Sequence, residues 1–269
     1  MKIEYRLWGK GIPPRPTKLQ IPGWAGNHHG HDNGDTPQPW HCTPFVEAST
    51  YGLELVYPFD TEAVVYLDKN NNVKFEGDFT DECIWSNPPS PPFAAFAESH
   101  FGYTSAVDIS VPEDHVVRLE PHPRFYTDTT GTCPCAISGH IQPWWCKIFF
   151  VVFKSPLPGQ KIIFRKNEPY AQVLVVPKKM TYEIKEMDSE KAIERKSVEN
   201  LINTYRQNIC KHSWKDHKGN LFDDKYKQLL SIYNKVGFDG IKTYLEKIES
   251  SVKNKVKKKV KKIGKFVKR

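Results

Sequence analysis

The chain has 269 residues, of which 39% are hydrophobic and 13% aromatic, and this content supports a packed core and excludes a wholly disordered protein. It holds 39 Lys and Arg against 31 Asp and Glu, a net charge of +8. The last eighteen residues contain nine Lys, one Arg and no acid, so residues 1–251 carry 29 basic and 31 acidic side chains. The basic character therefore belongs to one segment, and it indicates an anionic partner for that segment.

The N-terminal residues MKIEYRLWGK lack the apolar run of a signal peptide. The longest apolar stretch, 148–153, is far shorter than a membrane-spanning helix. We therefore expect an intracellular protein, in a host cytoplasm or a virion. In such a reducing compartment we expect the six Cys to be free thiols or metal ligands rather than disulfides.

A short strand is predicted at Lys2–Leu7, and the Pro-, Gly- and His-rich residues that follow, up to position 45, predict an irregular segment. Short β-strands are predicted from Leu53 onward, and an Asn-rich turn at 69–72 predicts a hairpin because Asn tolerates a positive φ. Short strands separated by Pro and Gly turns indicate an antiparallel sandwich or a β-clip-like barrel. The predicted strands are 53–57, 62–68, 73–77, 106–111, 116–119, 147–153, 161–164 and 170–176.

The pattern changes after the last of these strands. Apolar residues recur at helical spacing over Asp188–Ile209, with Asp188 or Ser189 as the N-cap. A second helix is predicted over Asp223–Val236, ended by Gly237, and a third leads from Asp239 into the basic segment. We therefore divide the chain into a β-rich body at 1–179, a helical region at 180–251 and a basic amphipathic helical tail at 252–269.

Within the tail, Val and Ile recur every three or four residues, which predicts a helix with an apolar stripe and Lys on its other faces. A Lys-rich helix repels itself in water, and an anionic surface would stabilise it. A nucleic acid or other anionic polymer, an anionic membrane, and a solubilising or protein-docking role all fit. We favour nucleic acid because the stripe is thin and rich in Val. The anion-binding candidates are Lys253, Lys255, Lys257, Lys258, Lys259, Lys261, Lys262, Lys265, Lys268 and Arg269.

Four potential ligands for a structural zinc ion lie within fourteen residues: Cys133, Cys135, His140 and Cys146. The segment resembles a retroviral-type zinc knuckle, which has the same length and also places Gly before its His. It departs from the knuckle in having one residue between the first two Cys and five between His and the last Cys, where the knuckle has two and four. The alternative is a core thiol at Cys146 and a hydrogen-bonded loop histidine at His140.

A second candidate site for zinc or another transition metal is the loop that contains His28, His29, His31 and Asp32. Imidazoles and carboxylates at this density suit zinc, iron or nickel. A distant residue such as His100 would complete a triad of two His and one carboxylate. The alternative is a loop whose histidines are simply solvated.

Residues 139–177 resemble the closing half of the trimeric dUTPase-like β-clip fold, in which a hairpin ends in Ala-Gln followed by an apolar strand. Ala171-Gln172 fits that ending, and Ser105–Ile109 echoes the family's opening motif. The resemblance implies a β fold. It argues against dUTP hydrolysis, because Gln142 and Trp144 stand where that family has its water-activating Asp, and an amide cannot act as a general base.

The wider pattern, from Pro39 through the hairpin of residues 139–177, is similar to a set of uncharacterised phage and bacterial β-rich proteins, which offers no activity to carry over. No nucleophile elbow, P-loop or Rossmann pattern occurs. The neighbours Ser99 and His100 are expected to point to opposite faces of a strand. We predict a non-enzymatic phage or phage-like structural or accessory protein, which fits a homo-oligomer. A metal-dependent or nucleotide-processing enzyme and a membrane-surface adaptor are the alternatives.

Overall fold

The computed structural model describes residues 1–21, 40, 42–77, 92–96, 99–215, 219 and 221–266. The described residues up to Thr181 form one compact unit, and those from Tyr182 onward form a second. We call them the β unit and the helical unit.

The β unit is built from antiparallel strands and one short helix. Its strands are β1 (Glu4–Leu7), β2 (Arg15–Pro16), β3 (Leu53–Val56), β4 (Ala63–Leu67), β5 (Val73–Glu76), β6 (Phe93–Phe96), β7 (His100–Thr104), β8 (Val107–Ser110), β9 (His115–Glu120), β10 (Gly139–Ile141), β11 (Phe150–Lys154), β12 (Lys161–Phe164) and β13 (Pro169–Pro177). Helix α1 is Thr43–Ser49, and a 3₁₀ helix spans Pro123–Tyr126. This confirms the predicted mainly β body.

The strands form four sheets, and the largest has the order β10-β9-β13-β3-β2. The others are β11-β7-β6, β12-β4-β5 and the pair β1-β8. The predicted hairpin is the pair β4-β5, and Asn71 in its turn has a φ of 62°. The run predicted as a strand from Lys147 begins only at Phe150, and the sequence patterns did not indicate α1, β6, β7 or β10.

The core of the β unit is dominated by aromatic rings. Tyr57, Tyr103, Phe101, Phe153 and Phe164 are fully buried and contact one another at ring separations of 5.2–6.1 Å in edge, tilted and stacked arrangements. Rings bury a large area with few rotatable bonds, so a unit of short strands can be stabilised by few residues. The large sheet contributes its alternate apolar residues to this core, and they include Leu55, Leu119 and Val173.

The helical unit contains α2 (Ser189–Thr204), α3 (Arg206–Ile209), the hairpin β14 (Ser213–Lys215) and β15 (Leu221–Asp223), and α4 (Lys225–Phe266). Asp188 caps α2 by accepting a hydrogen bond of 2.8 Å from the Lys191 N–H, as predicted. Gly237 interrupts α4 with a φ of 70°, so the predicted end of one helix is confirmed and a second helix follows directly.

A small apolar core holds the helices of this unit together. Leu245 is fully buried, and Val198 and Ile209 are nearly so. Partly buried residues packed around them include Leu201, Leu229, Ile241 and Ile248. Across the described parts of both units, no helix combines the length and apolar character that crossing a membrane requires.

Candidate functional site

A row of polar side chains crosses four neighbouring strands of the large sheet. Glu54 of β3 is paired in register with Gln172 of β13 on one side and with Arg15 of β2 on the other. Gln172 is in turn paired with Glu120 of β9. Directly paired residues lie on the same face of a sheet, so the four side chains share the face opposite the aromatic core. We call these four residues the polar row.

Glu54, which lies between Arg15 and Gln172 in the row, forms a fully buried pair with His122. His122 Nε2 lies 3.0 Å from Glu54 Oε2, and both side chains have no exposed surface. The other ring nitrogen, Nδ1, accepts a hydrogen bond of 3.1 Å from the Arg124 N–H, which assigns the proton to Nε2. His122 therefore donates to Glu54 while it caps the 3₁₀ helix.

Further donors hold Glu54 in its charged form. Arg15 Nε donates to Oε1 at 2.5 Å, and the Lys18 N–H donates to Oε2 at 3.1 Å. Burial acts to raise the pKa of Glu54, but the hydrogen bonds from His122 and Arg15 outweigh it and hold that pKa below the usual value. Burial lowers the pKa of His122, so the buried pair is an anion beside a neutral imidazole.

The network continues through Arg124, whose side chain is only 11% exposed. Its Nε donates to Cys133 Sγ at 3.0 Å and its terminal nitrogen donates to Glu168 Oε2 at 2.7 Å. Burial raises the pKa of Cys133 to about 11, although Arg124 opposes the shift. Cys133 is therefore a neutral thiol at pH 7, and a thiolate nucleophile is not expected there.

A cleft of about 500 Å³ lies beside two members of the polar row, Glu120 and Gln172. Gln172, Leu174 and Glu120 line it from the sheet, and α1 and the 3₁₀ helix line it from the sides. We call it the aromatic cleft because Phe45, Tyr51 and Tyr126 line it. The full lining is Phe45, Glu47, Ala48, Ser49, Tyr51, Glu120, Pro121, Pro123, Tyr126, Gln172 and Leu174.

A second, smaller cleft of about 380 Å³ is lined by residues that include His100, Ser138 and His140. Ser99 Oγ lies 2.9 Å from His100 Nδ1, so the expectation that these neighbours point apart is wrong. The reason is that Ser99 belongs to the turn before β7, where side chains do not alternate as they do within a strand.

The four predicted zinc ligands occupy different surroundings. Cys133 is buried against Arg124, Cys135 is half-buried, and Cys146 is exposed. His140 lies on β10, opposite Arg118. Within the described ranges, no group of three or more His, Cys, Asp or Glu side chains is placed to hold a metal ion. Zinc in this segment therefore stays a prediction, and the second candidate set, at His28–Asp32, lies outside the described residues.

The end of α4 extends the apolar face that packs in the helical unit. Ile241, Leu245 and Ile248 belong to the small core, and Val252 is still partly buried. The same spacing then continues through Val256 and Val260, which are 55% and 63% exposed. The apolar stripe of the tail is therefore the packed face of α4 carried beyond its packing partners.

The lysines of this segment begin where the packing ends. Lys253 pairs with Glu249 at 2.9 Å. Lys255, Lys257 and Lys258 are exposed and form no ion pair with any residue that the structure describes. We call residues 252–269 the basic arm, of which the structure describes the backbone up to Phe266.

No protein-family model matches the sequence, and no curated protein matches it either. Among solved structures, the EIAV dUTPase is 9% identical with a TM-score of 0.35, and the match covers 70% of this chain and 98% of that one. The dUTPase from phage phi11 of S. aureus is 12% identical with a TM-score of 0.35, covering 70% and 97%. At these identities and TM-scores, the similarities carry no inference about family or activity.

Proposed function

We propose that the protein is a non-enzymatic, phage-related accessory protein whose basic arm binds the phosphate backbone of nucleic acid. The observation that carries the proposal is the charge of the arm, which holds ten basic residues and no acid at the end of a helix. Lys255, Lys257 and Lys258 have no acidic partner among the described residues. Each is thus available to replace a counterion on a phosphate.

The shape of the arm favours a polymer over a membrane. A helix of fifteen residues, from Val252 to Phe266, spans about 22 Å. Interfacial membrane helices bury Leu, Phe or Trp in the headgroup region, whereas the stripe here offers mainly Val. We therefore expect the attraction of the lysines to phosphate to contribute more to binding than burial of the apolar stripe. This attraction depends strongly on the salt concentration.

Titration of a labelled DNA duplex, followed by fluorescence anisotropy over a salt series, tests the proposal. If about five lysines each contact a phosphate, the slope of log K against log salt is about −4.5 for the intact chain. The triple substitution Lys255→Gln, Lys257→Gln and Lys258→Gln should reduce that slope by about 2 to 3 units.

A matched control neutralises three exposed lysines elsewhere, with Lys178→Gln, Lys179→Gln and Lys185→Gln. The proposal fails if the control weakens binding as much as the arm variant does. It also fails if the intact chain floats with anionic liposomes and does not bind the duplex at equal ionic strength. Homo-oligomerisation stays a separate prediction, which light scattering on the purified protein tests.

A further inference from the structure

Strand β1 lies at an exposed edge of the β unit. Among the strands that the structure describes, β8 is its only partner. All four residues of β1 are exposed, and Tyr5 and Leu7 keep 53% and 36% of their surface in contact with solvent. An exposed edge presents unpaired N–H and C=O groups, so another strand can pair with it.

The pairing of β1 with β8 determines which backbone groups face this open edge. Trp8, directly after β1, donates its N–H to Ala106 O at 3.0 Å. In an antiparallel pair every second residue bonds to the neighbouring strand, so Glu4 and Arg6 bond to β8 as Trp8 does. The backbone groups that point away from β8 belong to Ile3, Tyr5 and Leu7.

The same three residues form an apolar surface beside the core. Tyr5 and Leu7 are paired with Ile109 and Val107, which belong to the buried core cluster. Directly paired residues lie on the same face of a sheet, so β1 extends the core face of β8 into solvent. Ile3, two residues before Tyr5 and 36% exposed, continues this face.

The opposite face of β1 carries charges that can accept further partners. Glu4 pairs only with Lys2, at 2.6 Å, and both side chains are exposed. Arg6 donates through Nη2 to Asp108 at 2.8 Å and to Cys146 O at 3.0 Å. Its Nε and Nη1 bond to no acceptor among the described residues, so the guanidinium can bind a second carboxylate.

The sequence of β1 is complementary to itself when two copies run antiparallel about Tyr5. Tyr5 then faces Tyr5 of the second copy, Ile3 faces Leu7, and Glu4 faces Arg6. The residues whose backbone groups point outward thus oppose one another, as a hydrogen-bonded ladder requires. Opposite charges that face each other across a ladder stabilise it, and like charges destabilise it.

Other registers lose this match. A shift of two residues in one direction sets Glu4 against Glu4, and in the other direction it sets Arg6 against Arg6. A shift of one residue sets Tyr5 against a charged residue and moves the apolar side chains of one copy to the wrong face. The charges and the ladder therefore favour a single register and a second copy of this chain as the occupant.

We propose that β1 is a homodimerisation surface, at which the β1 strands of two copies pair antiparallel about a two-fold axis at Tyr5. The pairing joins the two sheets in the order β8-β1-β1-β8 and is isologous, since each residue makes the same contact in both copies. Because only a short strand from each copy takes part, the interface is small. We expect a reversible dimer with a dissociation constant on the order of 10 µM.

Sedimentation equilibrium of the full chain, freed of nucleic acid and kept reduced, tests the proposal. Over a concentration range of about 1 to 500 µM we expect a transition from monomer to dimer. A monomer over the whole range overturns the proposal. A trimer also overturns it, because two-fold pairing of one edge is complete with two copies.

Two variants connect the dimer to β1. Glu4→Lys sets like charges opposite each other at two symmetric positions and should weaken dimerisation about tenfold. The control Glu113→Lys makes the same charge change at an exposed residue outside β1 and should leave dimerisation unchanged. Tyr5→Pro removes an N–H that points away from β8, so it should abolish the dimer without lowering the melting temperature of the β unit. If Glu4→Lys and Glu113→Lys act alike, β1 is not the interface.

Disulfide trapping tests the register. With Tyr5 opposite Tyr5, the two Cα atoms are about 5.5 Å apart, which suits a disulfide, so oxidised Tyr5→Cys should form a linked dimer. Ile3→Cys places the same thiol on the same face, but its two copies are about 14 Å apart and should not link. Mass spectrometry of proteolytic peptides identifies the linked positions. Equal linkage in both variants overturns the proposed register.

These measurements are made without nucleic acid, and the variants change no residue of the basic arm. Failure of the DNA titration and failure of the dimerisation test are therefore independent results.

Discussion

The polar row and the basic arm differ in the exposure and the pairing of their charged side chains. In the row, Glu54 has no exposed surface and accepts hydrogen bonds from Arg15, His122 and the Lys18 N–H. In the arm, Lys255, Lys257 and Lys258 are exposed and have no acidic partner among the described residues. A charge that is buried and paired is part of the fold, whereas a charge that is exposed and unpaired is available to a partner. The following changes test that contrast, beginning with the largest effect.

Substitution of the buried carboxylate should have the largest effect. Glu54→Ala leaves Arg15 and His122 without their acceptor, and we expect the free energy of unfolding of the β unit to fall by about 3 to 5 kcal/mol. Urea unfolding followed by tryptophan fluorescence measures this fall. The exposed control Glu113→Ala should change the free energy of unfolding by less than about 0.5 kcal/mol. An equal loss in both variants would mean that the buried carboxylate contributes no more to stability than an exposed one.

Two apolar residues on one face of α4 allow a buried side chain to be compared with an exposed one. Leu245→Ala should destabilise the helical unit by about 3 kcal/mol, since Leu245 is fully buried. Val256→Ala, further along the same stripe, should change its stability by less than about 0.5 kcal/mol. Thermal unfolding followed by circular dichroism compares the two, and a large effect at Val256 would mean that the arm is packed in solution.

The pH dependence of stability should reveal the buried pair. The pKa of His122 is lowered by folding, so its contribution is present above its ordinary value of 6.5 and is lost as the pH falls below it. The pKa of Glu54 is also lowered, so its contribution is lost as the pH falls below 4.5. The melting temperature of the β unit should therefore fall from pH 7 towards pH 4. A Glu54→Gln variant lacks the carboxylate that opposes the lowering of the His122 pKa, so its melting temperature should fall more steeply between pH 6.5 and pH 4.5, and identical slopes would contradict this origin.

The smallest effect on stability is expected in the arm. The triple change of Lys255, Lys257 and Lys258 to Gln should alter the free energy of unfolding by less than about 0.5 kcal/mol, although the proposed function expects the same change to weaken binding to DNA. Urea unfolding of this variant beside the intact chain measures the difference. A loss of more than about 1 kcal/mol would show that these lysines stabilise the fold.

Local features were predictable from the sequence because nearby residues determine them. The hairpin turn at Asn71, the cap at Asp188 and the helix break at Gly237 each depend on the backbone preference or side chain of one residue. Each is confirmed within a residue or two of its expected place.

The polar row was not predictable, because its members at 15, 54, 120 and 172 meet only through the order and register of four strands. The sequence does carry a signal, since Glu54 stands between two Leu and Gln172 precedes a run of apolar residues. Such a signal indicates a polar residue on the second face of a strand, but not its partners. The spacing of the Cys residues likewise did not indicate Arg124, which donates a hydrogen bond to the thiol of Cys133 in the structure.

The order of the strands has a consequence for how the chain folds. Strand β13 lies at the centre of the large sheet, between β9 and β3, yet it is the last strand of that sheet in the sequence. During synthesis, β3 and β9 therefore each have an unpaired edge until residues 169–177 have left the ribosome. The β unit closes in one late, long-range step, which makes its folding slow compared with that of the helices that follow.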